Sequence, residues 1–339
     1  HSPRPGRVNV VVNAAQFLCD LAEAAAGTAG DPPDMIAALR FSRQVYARGD
    51  SEQATQVCQY IEEWFEGTKA DDGDATLALV LLNAKYHTAE ALYFGVGAEK
   101  DAARAVRLMA ETANSPILTP EFSLELRVDP DVAALDDVLS GADILTGVLY
   151  SLGCAYVDGV GTIPNEAVGL AWLSRGVALG CPLCTGRLGM HHMTWSNLVA
   201  PASKLKALDA TKAKDLLTRA AELGNEQAMA RLGVFLMRGE GKAALKASAY
   251  DNGAAVKWLR EAARNGSFEG EAALALAYFK MKLYLKARQY AMVAIERDEA
   301  TRAEAPTYAA VAFWVAAKCI ELGVAGQADE SPLDPDELY

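Results

Sequence analysis

Apolar residues along this chain fall into short helical blocks closed by glycine, and no stretch shows the sustained apolar–polar alternation of a strand. Alanine recurs inside these blocks, as in Ala24-Ala25-Ala26, Ala220-Ala221, Ala262-Ala263 and Ala316-Ala317. Alanine-rich segments without β-branched runs favour helix. Residues Val8 to Phe65 read as helices broken at Gly27–Pro33, Gly67–Asp74 as a polar linker, and Ala75–Phe94 as one long apolar helix. Ser115–Ser140, with Pro116, Pro120, Pro130 and many acids, interrupts the pattern and is too long for a simple turn. Thr307–Gly323 reads as an apolar closing helix, and Ala328–Tyr339 as an acidic, proline-punctuated tail expected to be flexible.

The blocks repeat in register. One copy reads Leu152-Gly153, Tyr156, Gly159, Gly161, Asn165, Gly169, Trp172, Gly176-Val177 and Gly180. Another reads Leu232-Gly233, Leu236, Gly239, Gly241, Asp251, Ala255, Trp258, Ala262-Ala263 and Gly266. An upstream copy runs through Ala89, Leu92, Gly95, Gly97, Asp101, Ala105, Leu108 and Thr112-Ala113. A degenerate copy (Leu188-Gly189, His192, Asp209, Ala213, Leu216, Ala220-Ala221, Gly224) and a shortened one (Leu274-Ala275, Tyr278, Ala287, Tyr290, Ala294) complete the series. Tyr46, Gly49-Asp50, Ala54 and Cys58 form a looser relative near the N-terminus.

Each position has a physical role. Gly153, Gly233 and Ala275 let helix backbones approach, and Gly159 and Gly239 supply the left-handed residue that ends a helix. Asp101, Asn165, Asp209 and Asp251 stand where a second helix starts, as N-caps. Leu108, Trp172, Leu216 and Trp258 are expected to fill the gap to the neighbouring helix. Each unit is then a helix–turn–helix of about 36–45 residues, and such pairs bury their apolar faces only by stacking.

The pattern Leu-Gly-x-x-Tyr-x-x-Gly-x-Gly, capping acid, Ala, Trp, Ala-Ala, Gly resembles the Sel1-like repeat family, relatives of the tetratricopeptide repeat, over about Asn83 to Asp298. Gly169, Gly176 and Val177 stand where the pattern has alanines, and the first copy lacks its Tyr and Trp. The resemblance implies an all-α, right-handed α-solenoid of antiparallel helix pairs. The expected organisation is an atypical helical cap at 1–74, a repeat array at 75–300 with an insertion at 115–141, a capping helix at 301–326 and an acidic tail at 327–339. It further implies a non-catalytic scaffold or adaptor, an accessory subunit or assembly factor of a larger complex whose partners are other proteins.

Composition narrows the rest. The net charge of −12 argues against a protein that coats nucleic acid or anionic membrane, and no apolar run approaches the ~20 residues of a membrane span. The charge is uneven: residues 1–170 hold 11 Lys/Arg against 25 Asp/Glu, and residues 171–339 hold 21 against 19. An anionic partner therefore suits the C-terminal repeats, where Arg187, Arg231, Val234, Arg238 and Lys280 are expected to project from the first helices. His87 and Glu90 are the equivalent positions of the upstream copy.

The glycine doublets lack the strand and third glycine of a dinucleotide fingerprint and read as turns. Cys181-Pro182-Leu183-Cys184 with His191 and His192 is the one grouping that suggests zinc or redox chemistry, the alternative to a pure scaffold. Six scattered cysteines do not form a disulfide framework, and the four histidines lie in no catalytic motif, so neither an enzyme nor a cofactor is expected. The chain opens His1-Ser2-Pro3 without methionine, which suggests a removed targeting segment and a mitochondrial location, with cytoplasmic or secretory alternatives.

Overall fold

The computed structural model describes residues 34–68, 75–115, 118, 139–193, 210–238, 252–301 and 306–324. All thirteen regular elements among them are α-helices. The expected cap before residue 34, most of the insertion at 115–141, the N-caps Asp209 and Asp251, the turn at Gly239–Gly241 and the acidic tail lie outside the described residues. Two compact units divide at Trp172/Leu173. That boundary falls at the junction of the acidic and basic halves of the sequence.

The N-terminal unit contains α1 (Met35–Ala47), α2 (Ser51–Thr68), α3 (Ala75–Phe94), α4 (Ala102–Ala113) and α5 (Gly141–Asp158), and α6 (Glu166–Ala178) straddles the division. Helices α1/α2 and α3/α4 are consecutive pairs, and α1, α3 and α5, the first helices of successive pairs, lie side by side. The C-terminal unit repeats the scheme with α7 (Pro182–His192), α8 (Ala210–Glu222), α9 (Glu226–Arg238), α10 (Asn252–Arg264), α11 (Phe268–Lys280), α12 (Tyr284–Thr301) and α13 (Pro306–Glu321). This is the all-α array of stacked helix pairs that the repeat pattern implies.

Local chemistry sets the helix ends. Asp34 accepts from Ala37 N at 2.9 Å, Asp101 from Arg104 N at 2.9 Å and Asn165 from Val168 N at 3.2 Å, each satisfying an orphan amide of a first turn. At the other end a left-handed residue recurs just past the helix: Gly49, Gly95, Gly159, Gly180, Gly224, Gly266 and Gly323 all have φ between 71° and 90°. The next amide reaches back across the last turn, as in Val96 N to Ala91 O (3.1 Å) and Val160 N to Ala155 O (3.0 Å), the hydrogen-bond closure of a Schellman end. After α11 the same place is held by Lys282, at φ 63°. Asn83 in α3 anchors the return from the insertion: its amide donates to Leu139 O at 3.0 Å and accepts from Leu139 N at 2.9 Å.

Packing corrects one expectation. Leu108, Trp172, Leu216 and Trp258 are only half-buried. The core is filled by the residues one position later, Met109, Leu173, Leu217 and Leu259, all nearly or fully buried. One residue is a 100° turn of the helix, so the recurring large residue marks the flank of the stripe and its neighbour marks the centre. Gly169 also has a reason to depart from alanine. A Cβ there would stand 2.8 Å from Gly153 O and 2.9 Å from Val157 N, where α6 crosses α5 backbone to backbone. No described helix is long and apolar enough to cross a membrane.

Candidate functional site

The five positions expected to face a ligand on the C-terminal repeats do not form one surface. Val234 is fully buried in the core shared by α9, α10 and α11. Arg231 is built into the fold: its Nη2 pairs with Glu269 Oε1 at 2.8 Å and its Nη1 donates to Tyr308 OH at 2.8 Å, tying α9 to α11 and α13. Burial raises the Glu269 carboxyl, opposed by the Arg231 charge. The expectation that these two side chains project away from the core is therefore corrected. First helices of successive pairs lie side by side, so the next pair covers the face they were assigned. Arg187 is half-buried, Lys280 is exposed at the end of α11, and the side chain of Arg238 lies outside the described residues.

The cysteine–histidine grouping divides along α7. Cys181 is the N-cap, its Sγ accepting from Cys184 N at 3.4 Å, whereas His191 and His192 occupy the last turn. Seven residues separate Cys184 from His191, about 10 Å along the axis, so the four side chains do not converge. No group of three potential metal ligands exists among the described residues. The two thiols stay together at the helix start. The Cys184 side chain hydrogen-bonds Cys181 and, against burial, lowers the Cys181 thiol to about 6. Both cysteines are buried and unbridged.

A better-formed site lies in the N-terminal unit, where α1, α2 and α3 enclose a cavity of about 220 Å³. It is lined by His87 and Glu90, the ligand-face positions of the upstream copy, together with Arg43, Tyr46, Phe94 and Val96. Arg43 on α1 reaches across to α3, with its Nη1 2.8 Å from His87 Nε2. Glu90 is engaged on both oxygens: Oε1 accepts from Tyr86 OH at 2.9 Å, and Oε2 lies 3.7 Å from His87 Nδ1. Burial and then the Glu90 charge push the Tyr86 hydroxyl well above its ordinary value, so it stays a donor. Beneath them Ser42 Oγ donates to Ala54 O at 3.1 Å and sits 3.2 Å from Cys58 Sγ. Burial pushes the Cys58 thiol up to about 11, which keeps it protonated and a poor nucleophile.

The rim is apolar and open. Tyr46 is 56% exposed, Phe94 62% and Val96 48%. Arg43 and Tyr46, the α1 half of the pocket, were not singled out as ligand positions from sequence. The looser register at Tyr46, Gly49 and Asp50 carried the signal: it makes α1 a first helix, and Arg43 lies one turn before Tyr46 on the same face. The cavity can hold one large side chain beside a guanidinium.

The Sel1 repeat family model matches residues 82–115, 148–181, 204–225 and 226–267. The pair α11/α12 follows in the same packing scheme beyond the last matched residue. Among solved structures, the chain is similar to a Sel1 repeat protein from Oxalobacter formigenes, at 17% identity over 70% of this chain and 74% of that one, with a TM-score of 0.42. It is also similar to c5321, a protective antigen present in uropathogenic Escherichia coli strains displaying an SLR fold, at 17% identity over 95% of this chain and 74% of that one, TM-score 0.40. The family-model matches fall on the helix pairs described above, and the chain carries Sel1 repeats at residues 82–115, 148–181, 204–225 and 226–267.

Proposed function

We propose that this chain is a non-catalytic scaffold or adaptor that serves as an accessory subunit or assembly factor of a larger protein assembly. Sel1 repeats are protein–protein interaction modules. The observation that carries the finer reading is the α1–α3 pocket, whose open aromatic and aliphatic rim surrounds a charged interior on the first-helix side of the array. Exposed apolar residues gathered at a concave site are a recognition feature. The test is isolation of the tagged full chain under mild conditions, followed by size-exclusion chromatography with light scattering and cross-linking mass spectrometry. Elution well above the chain's own 36.1 kDa, with cross-links to other proteins, is expected. Monomer-size elution without such cross-links overturns the reading.

One observation favours a second reading, a thiol-based redox function. Cys181 and Cys184 share the first turn of α7, and the Cys181 thiol is held at about 6. The Cys181 thiolate would attack a low-molecular-weight disulfide, releasing one thiol. Cys184 would then displace the second and close the Cys181–Cys184 bridge. Mass spectrometry after incubation with oxidised glutathione tests this: loss of two hydrogens from this pair supports it, and an unchanged pair ends it.

A further inference from the structure

Helix α13 lies beside α11 and α12 as a first helix does, and no second helix follows it among the described residues. Its register against α11 is fixed by the helix ends. Lys282 and Gly323 hold the left-handed position after each, and Leu283 N to Tyr278 O (2.9 Å) matches Val324 N to Cys319 O (3.0 Å). In that register Ala272 and Ala273 of α11 correspond to Phe313 and Trp314 of α13. The alanines are 0% and 1% exposed, the aromatics 49% and 47%. Phe279 of α11 meets Trp314 with ring centroids 5.2 Å apart, whereas its counterpart Ile320 is 63% exposed. Ala310, Phe313, Trp314, Ala317 and Ile320 thus form one exposed apolar stripe at helical spacing. Positions that α11 keeps covered stay open on α13, and they carry bulkier apolar groups. Repeat arrays normally close on a polar outer face.

We propose that this stripe is the seam of a homodimer, in which α13 of one copy packs antiparallel on α13 of a second copy. The stripe alternates small and large, so it is complementary to itself: with the two-fold axis between residues 315 and 316, each Trp314 falls over Ala317 of the other copy. Its charge suits self-pairing too. Glu321 at the end of the stripe is neutralised within its own helix, 2.6 Å from Lys318 Nζ. Residues 171–339 hold 21 Lys/Arg against 19 Asp/Glu, so two C-terminal units meet with little repulsion, unlike the acidic residues 1–170. Head-to-tail stacking on α1 lacks a matching surface, because Tyr46 is the one large apolar residue that α1 exposes. Half of each aromatic's 150–250 Å², with Ile320 and the two alanines, amounts to about 400 Å² per copy. A rim of Val311, Lys318 and Glu321 brings the total from both copies to about 1,000 Å², the low end of specific interfaces. The dimer is therefore reversible, with a dissociation constant of about 1–100 μM.

Sedimentation velocity of the purified full chain, from about 1 to 300 μM to bracket that constant, tests the proposal. The average mass should climb with concentration from 36.1 kDa toward twice that value. Phe313→Glu and Ile320→Glu, both at exposed positions, should each weaken self-association at least about thirtyfold. Ile163→Glu, at a residue 85% exposed elsewhere on the chain, should leave it unchanged. Thermal melts confirm the fold of every variant. A photoreactive phenylalanine in place of Phe313, in a mixture of isotope-labelled and unlabelled chains, should cross-link between copies into residues 310–324. A single 36.1 kDa species at every concentration overturns the proposal. So does a dimer that survives both stripe substitutions, cross-linking between copies away from α13, or cross-linking within one chain to residues 325–339. The dimer and the scaffold fail separately, since the first turns on copies of this chain and the second on cross-links to other proteins.

Discussion

Replacing Arg231 by methionine decides whether this residue belongs to the fold or to a ligand surface. Its pair with Glu269 is mostly shielded, the two side chains being 15% and 17% exposed, and it also holds the Tyr308 hydroxyl. Removing one member of a buried pair costs about 3–5 kcal/mol, because the other charge is left without compensation. Residual exposure puts this site at the lower end, about 3 kcal/mol. For a unit of this size that is a drop in Tm of about 6–12 °C. Adding Glu269→Gln should recover a large part of the loss, since it removes the stranded charge. The pH dependence has a definite sign. Burial already raises the Glu269 carboxyl, and loss of the Arg231 charge raises it further. A raised carboxyl holds its proton in the folded state when the unfolded chain has released it. The contribution is present below the unfolded value and lost as pH rises through the folded one. The deficit of Arg231→Met should therefore be smallest in acid and grow toward neutral pH. Urea unfolding followed by circular dichroism at about pH 5 and pH 7.5 measures it. A loss below about 1 kcal/mol, typical of exposed ion pairs, would refute the buried-bridge account and return Arg231 to the ligand face.

Lys282 occupies a left-handed position at φ 63° that glycine fills after seven other helices, so Lys282→Gly should stabilise the C-terminal unit by about 0.5–1 kcal/mol, seen as a raised midpoint in thermal unfolding. Gly169→Ala should destabilise the N-terminal unit by about 1–3 kcal/mol, because the added Cβ meets the backbone at Gly153 and Val157 and neither helix can yield without separating; denaturant titration reads the loss. Alkylation of Cys181 should follow a pH profile with its midpoint near 6, the thiolate being present above that value, whereas Cys184→Ala should move the midpoint toward the ordinary thiol range as the hydrogen bond disappears; peptide-level mass spectrometry separates the two sites.

Much of the local architecture was legible in the residues. Helix starts at Asp101 and Asn165 follow from one side chain reaching an amide three residues on. Helix ends at Gly95, Gly159 and Gly266 follow from the one residue type that enters the left-handed region at little cost. These are short-range effects, and their recurrence in register made the helix pair and its stacking readable before any coordinates. His87 and Glu90 were legible as neighbours on one face of α3 for the same reason, helical spacing; that α1 closes a pocket over them was not.

What tertiary structure alone decided lies between elements. Spacing identified Leu108, Trp172, Leu216 and Trp258 as important, but the packing angle of the next helix puts Met109, Leu173, Leu217 and Leu259 at the centre of the contact. Arg231 looked like a surface cation because its partners, Glu269 and Tyr308, are 38 and 77 residues away. Val234 looked available because the coverage of its face depends on how closely α9, α10 and α11 pack. The pocket depends on Arg43 meeting His87 across 44 residues, a distance set by the pairing of α1 with α3. Periodicity reports which face of a helix is apolar; only the docking of a second helix determines whether that face becomes core, ion pair or open site.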